Sequence, residues 1–291
     1  MTSPITEPAP AGQIAFIGGG NMARSLIGGL IGRGTPPGDI RVVAPSLSTR
    51  EALQRDFGVA TFESAAEAVR GTDVWMFAVK PQVMPGVCGE LAEAARATRP
   101  LAVSVAAGIT TAQMERWLGG EAAVVRAMPN TPSMLGAGVT GLFANARVDE
   151  AGRERADAVL ATAGATVWIG DESLMDSVTA ASGSAPAYVF LLAEAMEDAA
   201  IAQGLPADSA RTLVLQTILG AARMLTESGE SPSELRRRVT SPGGTTHAAI
   251  TTFEEGGLRE LVARAMGRAA DRGRELSAAN DDTADSGDPS S

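Results

Sequence analysis

An α/β unit followed by an all-helical unit is the fold class this sequence predicts, and three observations predict it. Short apolar runs alternate with helical stretches from Gln13 to about Asp171, the order expected of a parallel sheet with crossover helices. A glycine turn, Gly18-Gly19-Gly20-Asn21-Met22-Ala23, follows directly on the first of those runs. Beyond Asp171 the strand signals stop, and long Ala- and Leu-rich segments take over. Residues 13–171 therefore read as a Rossmann-type dinucleotide-binding domain and residues 172–279 as a helical domain. Residues 1–12 are expected to be a disordered leader, since no basic start is followed by an apolar run. Residues 280–291, with Asp281, Asp282, Asp285 and Asp288, are expected to be a disordered acidic tail.

Strands are expected at Ile14 to Gly18, Ile40 to Ala44, Val74 to Val79, Leu101 to Val105, Val124 to Met128 and Val167 to Ile169. Between them, helices are expected at Met22 to Arg33, Ser48 to Phe57 and Thr111 to Leu118. Thr110 is placed to cap the last of these, and Ser48 with Glu51 has the spacing of a capping box. The helical half divides into Leu174 to Gln203, Ala207 to Ser228, Ser233 to Val239, Thr246 to Glu255 and Leu258 to Ala278. Val189-Phe190-Leu191-Leu192, and Leu213-Val214-Leu215 with Ile218-Leu219, are apolar almost all round. Such helices must be wrapped by others, from this chain or from a second subunit.

A chain of 291 residues, 45% hydrophobic, can bury a sizeable core and is long enough for two units. Its net charge of -10, with acids spread along the length, argues against a nucleic-acid partner. Cys88 and His247 are each the sole residue of their type, which leaves no intrachain disulfide and no structural zinc site. A reducing, cytoplasmic setting fits that usage. Nor does any apolar stretch reach the roughly 20 uncharged residues of a membrane span.

Gly18-x-Gly20-x-x-Ala23 follows a strand and opens a helix, the context in which glycines let the backbone approach a pyrophosphate. The second strand ends in Val42-Val43-Ala44-Pro45-Ser46, without the acid that would read the ribose of NAD, and Ser48, Thr49 and Arg50 follow. That favours a 2′-phosphate, hence NADPH over NADH; the alternative is a solvated turn into a helix capped by Ser48. Lys80 is the single lysine among 24 basic residues and sits in Ala78-Val79-Lys80-Pro81, after a strand on the ligand side of the sheet. Chance retention explains it equally well, and no proton-transfer role is assigned. Arg126-Ala127-Met128-Pro129-Asn130-Thr131-Pro132 ends another strand in a turn fixed by two prolines, suited to a cofactor rim or to a domain corner. His247 would meet an unfavourable helix dipole when protonated, so it reads as a neutral packing residue before it reads as an acid. Ser241-Pro242-Gly243-Gly244-Thr245-Thr246, at the expected start of a helix, is a second anion seat. Two seats imply two ligands.

Taken together, these motifs resemble the pyrroline-5-carboxylate reductases, from about Ile14 to Ser277. The resemblance is carried by Phe16-Ile17-Gly18-Gly19-Gly20-Asn21-Met22, Ala78-Val79-Lys80-Pro81, Ala106-Ala107-Gly108, the Arg126 to Pro132 turn, Ser182-Gly183-Ser184-Ala185-Pro186-Ala187-Tyr188 and, most specifically, Ser241 to Thr246. Ala185 departs from the family's usual glycine or serine, and Thr245 stands where some members have alanine. The resemblance implies a helical dimerisation and substrate domain, and dimers that often assemble into decamers. It implies hydride transfer from NADPH or NADH to the cyclic imino acid 1-pyrroline-5-carboxylate, giving L-proline without a metal. It places Gly18, Gly19, Gly20, Asn21, Met22, Ala23, Ser46, Arg50, Ala78, Val79, Lys80, Pro81, Ala106, Ala107 and Asn130 around the cofactor. Ser241 and the backbone of Gly243, Gly244, Thr245 and Thr246 would hold the substrate carboxylate, and the Thr246 hydroxyl would face the ring nitrogen.

Two other readings remain at this stage. The β-hydroxyacid dehydrogenases join similar domains but need a catalytic lysine in the helical half, and no lysine follows Lys80. A nucleotide-binding sensor without turnover is the other.

Overall fold

A computed structural model of the chain describes residues 12–285, with side chains through residue 280. The expected leader (1–12) falls almost entirely outside the described residues, as does the end of the expected tail.

Among the described residues an eight-stranded sheet runs in the order β3-β2-β1-β4-β5-β6-β7-β8. Its strands are β1 (Ile14–Ile17), β2 (Ile40–Val43), β3 (Ala60–Phe62), β4 (Val74–Phe77), β5 (Leu101–Ser104), β6 (Ala123–Met128), β7 (Gly138–Ala144) and β8 (Gly164–Trp168). Every pairing is parallel except β6 with β7. The first six strands have the order of a doubly wound dinucleotide-binding sheet, with its reversal between β1 and β4. Because β1 to β6 are parallel, the turns after them open on one edge.

Successive residues of β1 point to opposite faces. Ile14 and Phe16 join Leu26, Ile27 and Leu30 of α1 (Asn21–Gly32) and Val159 and Leu160 of α6 (Glu150–Leu160). Ala15 and Ile17 join Trp75, Phe77 and, from α4 (Met84–Thr98), Met84, Cys88 and Leu91. All of these are buried, which is why the strands read as continuous apolar runs.

The six expected strands are present with shifted ends, and two more were not foreseen. β3 has three residues, too few for a periodic signal, and β7 carries Gly138 and Gly141, which read as breaks in a strand. Gly138 is demanded by packing, since a Cβ there would lie 2.7 Å from the Ser133 amide nitrogen.

The helix α2 (Leu47–Phe57) corrects the expected capping box. Its cap is Ser46, whose Oγ accepts from the Thr49 N–H at 3.5 Å, and Ser48 lies inside the helix with its hydroxyl 2.8 Å from that of Ser46. The Thr110 cap on α5 (Thr111–Trp117) is as expected: its Oγ1 accepts from Gln113 N at 3.2 Å, and Gln113 Oε1 accepts from Thr110 N at 2.8 Å.

The chain packs as two units, one of residues through Ser184 together with those from Ala269 onward, the other Ala185–Arg268. The helix expected over Leu174 to Gln203 is interrupted. It runs as α7 (Met175–Val178), a wide π turn over Thr179–Gly183 closed by Ser184 N on Thr179 O at 2.8 Å, and α8 (Ala185–Ala202). The second unit continues with α9 (Ala207–Glu227), packed on α8, then α10 (Pro232–Arg238) and α11 (Thr245–Glu255). Its buried apolar residues are only Ala210, Val214 and Leu235, whereas Phe190 and Leu191 are each 66% exposed. A last helix, α12 (Leu258–Asp285), contributes its first part to this unit and its end to the sheet unit. It extends into the stretch expected to be disordered. No helix among the described residues is long and apolar enough to cross a membrane.

Candidate functional site

The turn after β1 is shaped by what surrounds it. Gly18 has φ +109° and a Cβ there would lie 2.6 Å from the Ala78 carbonyl oxygen, so neither the conformation nor the space admits another residue. Its N–H donates to Val43 O at 3.0 Å, extending the ladder by one residue. A Cβ on Gly19 would lie 2.7 Å from Leu53 Cδ1. At Gly20, the N-cap of α1, a Cβ would meet nothing within 4 Å: this is the open side of the turn. The N–H groups of Asn21, Met22 and Ala23 begin the helix with no carbonyl one turn back, and its first turn holds no acid to offset the dipole. That donor set fits a pyrophosphate. Buried Ala23 lets α1 lie close on the sheet, and Ser25 Oγ donates to Ser133 O at 2.6 Å beside a hollow of about 200 Å³ lined by Asn21, Arg24, Ser25 and Met134. Arg24 is paired with Asp56, and its guanidinium carbon lies 5.1 Å from the Phe57 ring centroid. Its hydrogen bond to Asp56 holds that carboxyl below its ordinary value.

The other expected cofactor residues follow the carboxyl ends of neighbouring strands. After β4, Ala78 donates to Ile17 O at 2.8 Å, Val79 is half-buried, and Lys80 is exposed at the start of a 3-10 turn over Pro81–Val83. After β5, Ala106 is buried with its N–H on Ser104 Oγ at 3.2 Å, while Ala107 is exposed. After β6, Asn130 is buried and already engaged: Oδ1 accepts from Val139 N at 3.0 Å and Nδ2 donates to Ser182 O at 3.2 Å. It stitches β7 and the π turn to this edge. After β2, Ser46 caps α2, and Arg50 reaches back so that Nη1 donates to Ala44 O at 2.7 Å and Pro45 O at 2.8 Å. Its Nη2 meets Glu63 Oε2 at 3.2 Å.

The partners of Arg126 were not foreseen. It is buried within β6, with Nη2 3.1 Å from Asp176 and Nη1 3.5 Å from Glu172. Glu172 also accepts from the N–H and the hydroxyl of Thr111, both at 2.7 Å. A buried guanidinium needs such partners, and this one ties the start of α7 and of α5 to the sheet. An arginine inside an apolar strand signals that a partner exists, but not which acid some 50 residues onward supplies it.

In the helical unit, Ser241–Thr246 forms a tight turn into α11. Gly243 has φ +72°, and Gly244 is the N-cap, its own N–H closing the turn onto Ser241 O at 3.1 Å. The Gly244 N–H is thus already committed, and the open donors are those of Thr245, Thr246 and His247 at the first helical positions. No side chain caps the helix and no acid lies in its first turn. Among the described residues the hydroxyls of Ser241, Thr245 and Thr246 have no hydrogen-bond partner. His247, expected to pack, is exposed. Among the described residues no three His, Cys, Asp or Glu side chains group as metal ligands.

Comparison with known proteins agrees with both halves. Residues 172–276 match the family model for pyrroline-5-carboxylate reductase dimerisation, and residues 13–108 match that for NADP oxidoreductases, coenzyme F420-dependent. The pyrroline-5-carboxylate reductase of Pseudomonas aeruginosa is 50% identical over 264 residues, covering 91% of this chain and 96% of that one. The solved structure of the Coxiella burnetii reductase superposes with a TM-score of 0.89 at 44% identity, covering 92% of this chain and 99% of that one. The Plasmodium falciparum pyrroline carboxylate reductase with NADP bound does so with a TM-score of 0.79 at 27% identity, covering 91% and 98%. With half its residues shared along nearly the full length of such a relative, the chain belongs to the pyrroline-5-carboxylate reductase family.

Proposed function

We propose that the chain performs its family's reaction, reduction of 1-pyrroline-5-carboxylate to L-proline in the last step of proline synthesis, with NADPH as the preferred reductant and NADH as the lesser one. The observation that carries this is the pair of acid-free helix starts, one in each unit, each preceded by glycines. One suits a pyrophosphate and the other a small carboxylate. Asn21, Met22 and Ala23 would hold the cofactor's phosphates, Arg50 with Ser46 and Ser48 its 2′-phosphate, and Ala78 to Pro81, Ala106 and Ala107 its remainder. When bound, the nicotinamide supplies the hydride. A protonated imine is already electrophilic, so the protein's share is to orient the ring. The N–H groups of Thr245, Thr246 and His247 would receive the carboxylate, and the unpartnered Thr246 hydroxyl is available to the ring nitrogen.

The exposed apolar face of α8 and α9 supports a homodimer, since the match to the family's dimerisation model, residues 172–276, includes these helices. Decamers are the larger assembly to test by light scattering. Use of a lone, buried cysteine and the likeness to bacterial biosynthetic enzymes support a cytoplasmic site.

The test is NADPH oxidation with and without 1-pyrroline-5-carboxylate. Substrate-dependent oxidation with proline as product is the expected result; tight NADPH binding with no turnover would instead favour a sensor. Arg50→Asp is expected to shift the kcat/KM ratio toward NADH by about tenfold, and an unchanged ratio would remove Arg50 from the 2′-phosphate site.

A further inference from the structure

We propose that Glu63, at the end of β3, sets how strongly this chain distinguishes a 2′-phosphorylated adenosine from a plain one, by holding the outer edge of the Arg50 guanidinium. The inference rests on reading Arg50 as the group that meets the 2′-phosphate.

The register of the sheet brings the two residues together. β2 and β3 are parallel with Val43 opposite Phe62, so the turns that follow them share one end of the sheet, where Ala44 N also donates to Phe62 O at 3.0 Å. Glu63 is the residue next after Phe62. On the other side, α2 starts one turn before Arg50 and aims its side chain back at the end of β2.

The two ends of the guanidinium are held differently. Nη1 is fixed by two carbonyl oxygens at 2.7 and 2.8 Å, and the Arg50 side chain is only 15% exposed, so the head is anchored at the end of β2. Nη2 carries one contact, the 3.2 Å ion pair with Glu63, whose side chain is 78% exposed. Arg50 therefore cannot swing to a ligand, but its outer edge can exchange one acidic partner for another. Two hydroxyls, Ser46 and Ser48, stand 2.8 Å from each other at the same helix start.

A well-exposed carboxylate is a weak partner, screened by solvent, and a phosphate with nearly two negative charges displaces it. Glu63 must give up its ion pair with Arg50 when the 2′-phosphate arrives, and the loss of that pair offsets part of the phosphate's gain. A ligand with a free 2′-hydroxyl leaves the pair intact. Glu63 thus lowers the preference for the phosphorylated form without touching the nicotinamide end, and the chain retains use of both reductants. Charge alone, tuned on one side chain outside the glycine turn, moves the selectivity.

The experiment is calorimetric titration of the purified full-length protein with adenosine 2′,5′-bisphosphate and with 5′-AMP, at low and moderate salt, alongside thermal melts. It compares wild type, Glu63→Gln, Arg50→Met and the double variant. Glu63→Gln is expected to bind the bisphosphate about three- to tenfold more tightly, to leave 5′-AMP unchanged, and to lose most of that gain once Arg50 is methionine. Unchanged or weaker bisphosphate binding in a normally melting Glu63→Gln protein overturns the proposal. So does an equal gain with and without Arg50, which would mean direct repulsion of the ligand. If Arg50→Met leaves bisphosphate affinity at the wild-type level, the assignment of Arg50 itself falls, and this proposal with it.

Discussion

The sheet unit and the helical unit treat the same kind of residue in opposite ways. In the sheet unit the strands hide large apolar side chains on both faces, with Trp75, Phe16, Phe77, Met76 and Met84 fully buried, and exposed ones such as Leu135 and Met134 lie outside the strands. In the helical unit Phe190 and Leu191 are 66% exposed, Leu213 56% and Leu219 54%. One unit builds an extensive core of its own. The other is a half-built core, and contiguous exposed apolar surface of this extent marks an association face. Stability should therefore be an internal property of the first unit and a concentration-dependent property of the second.

Four experiments test this contrast. The largest effect is expected from Phe190→Asp combined with Leu213→Asp, which places charges in the proposed subunit contact. Buried unpaired charges cost about 3–5 kcal/mol each, so light scattering should find monomers and the wild-type rise of Tm with protein concentration should vanish. A dimeric, active double variant would place the contact elsewhere. Next comes Gly18→Ala in the sheet unit, which adds strain at φ +109° and a Cβ 2.6 Å from Ala78 O. About 3 kcal/mol should be lost in urea unfolding, at every protein concentration alike.

Thr246→Ala is smaller in energy but selective. Since Gly244, and no hydroxyl, caps α11, the melt should be unmoved while kcat/KM for 1-pyrroline-5-carboxylate falls about tenfold, ~1.4 kcal/mol. Wild-type kinetics would leave the substrate to the backbone donors alone. The smallest effect measures how dry the sheet core is. Burial raises the Cys88 thiol from 9.0 to about 12, so its share of stability is complete below pH 9 and declines as pH climbs toward 12. The loss should be under about 1 kcal/mol at pH 9.5, and a Cys88→Ala protein should show a flatter alkaline decline. Rapid modification of native Cys88 at pH 8 would contradict its burial.

How much of this was legible follows the same division. Strands buried on both faces are continuous apolar runs, so β1, β2, β4, β5 and β6 could be read directly, and the glycine turn after β1 with them. β3 and β7 could not, one being too short and the other broken by glycines whose reason lies in Ser133 and Val178 across the fold. Helix positions were legible, but the π turn at Thr179–Gly183 was not, because its extra residue is absorbed where Gly183 packs on Met128. In the candidate sites, backbone donors were visible through their glycines. The partners that decide how a side chain is used, Glu63 for Arg50 and Val139 for Asn130, are set by tertiary register and leave no local trace.

The end of α12 lies against the turn that follows β5: Asn280 Nδ2 donates to Gly108 O at 2.9 Å, Gln113 Nε2 donates to Ser277 O at 3.2 Å, and Gly273 gives room to Asp176. On the ribosome this has an order in time. β1 to β8 emerge first, yet the residues that complete their unit are made only after all of α8 to α11. At about 5–20 residues per second, the hundred residues after β8 take several seconds or more. Through that interval the Gly108 turn waits without its fastening, and the inserted helices have their own apolar face uncovered. The nascent chain finishes its first unit only after the whole inserted helical segment has been made, so folding of the dinucleotide domain is coupled to synthesis of helices that are not part of it.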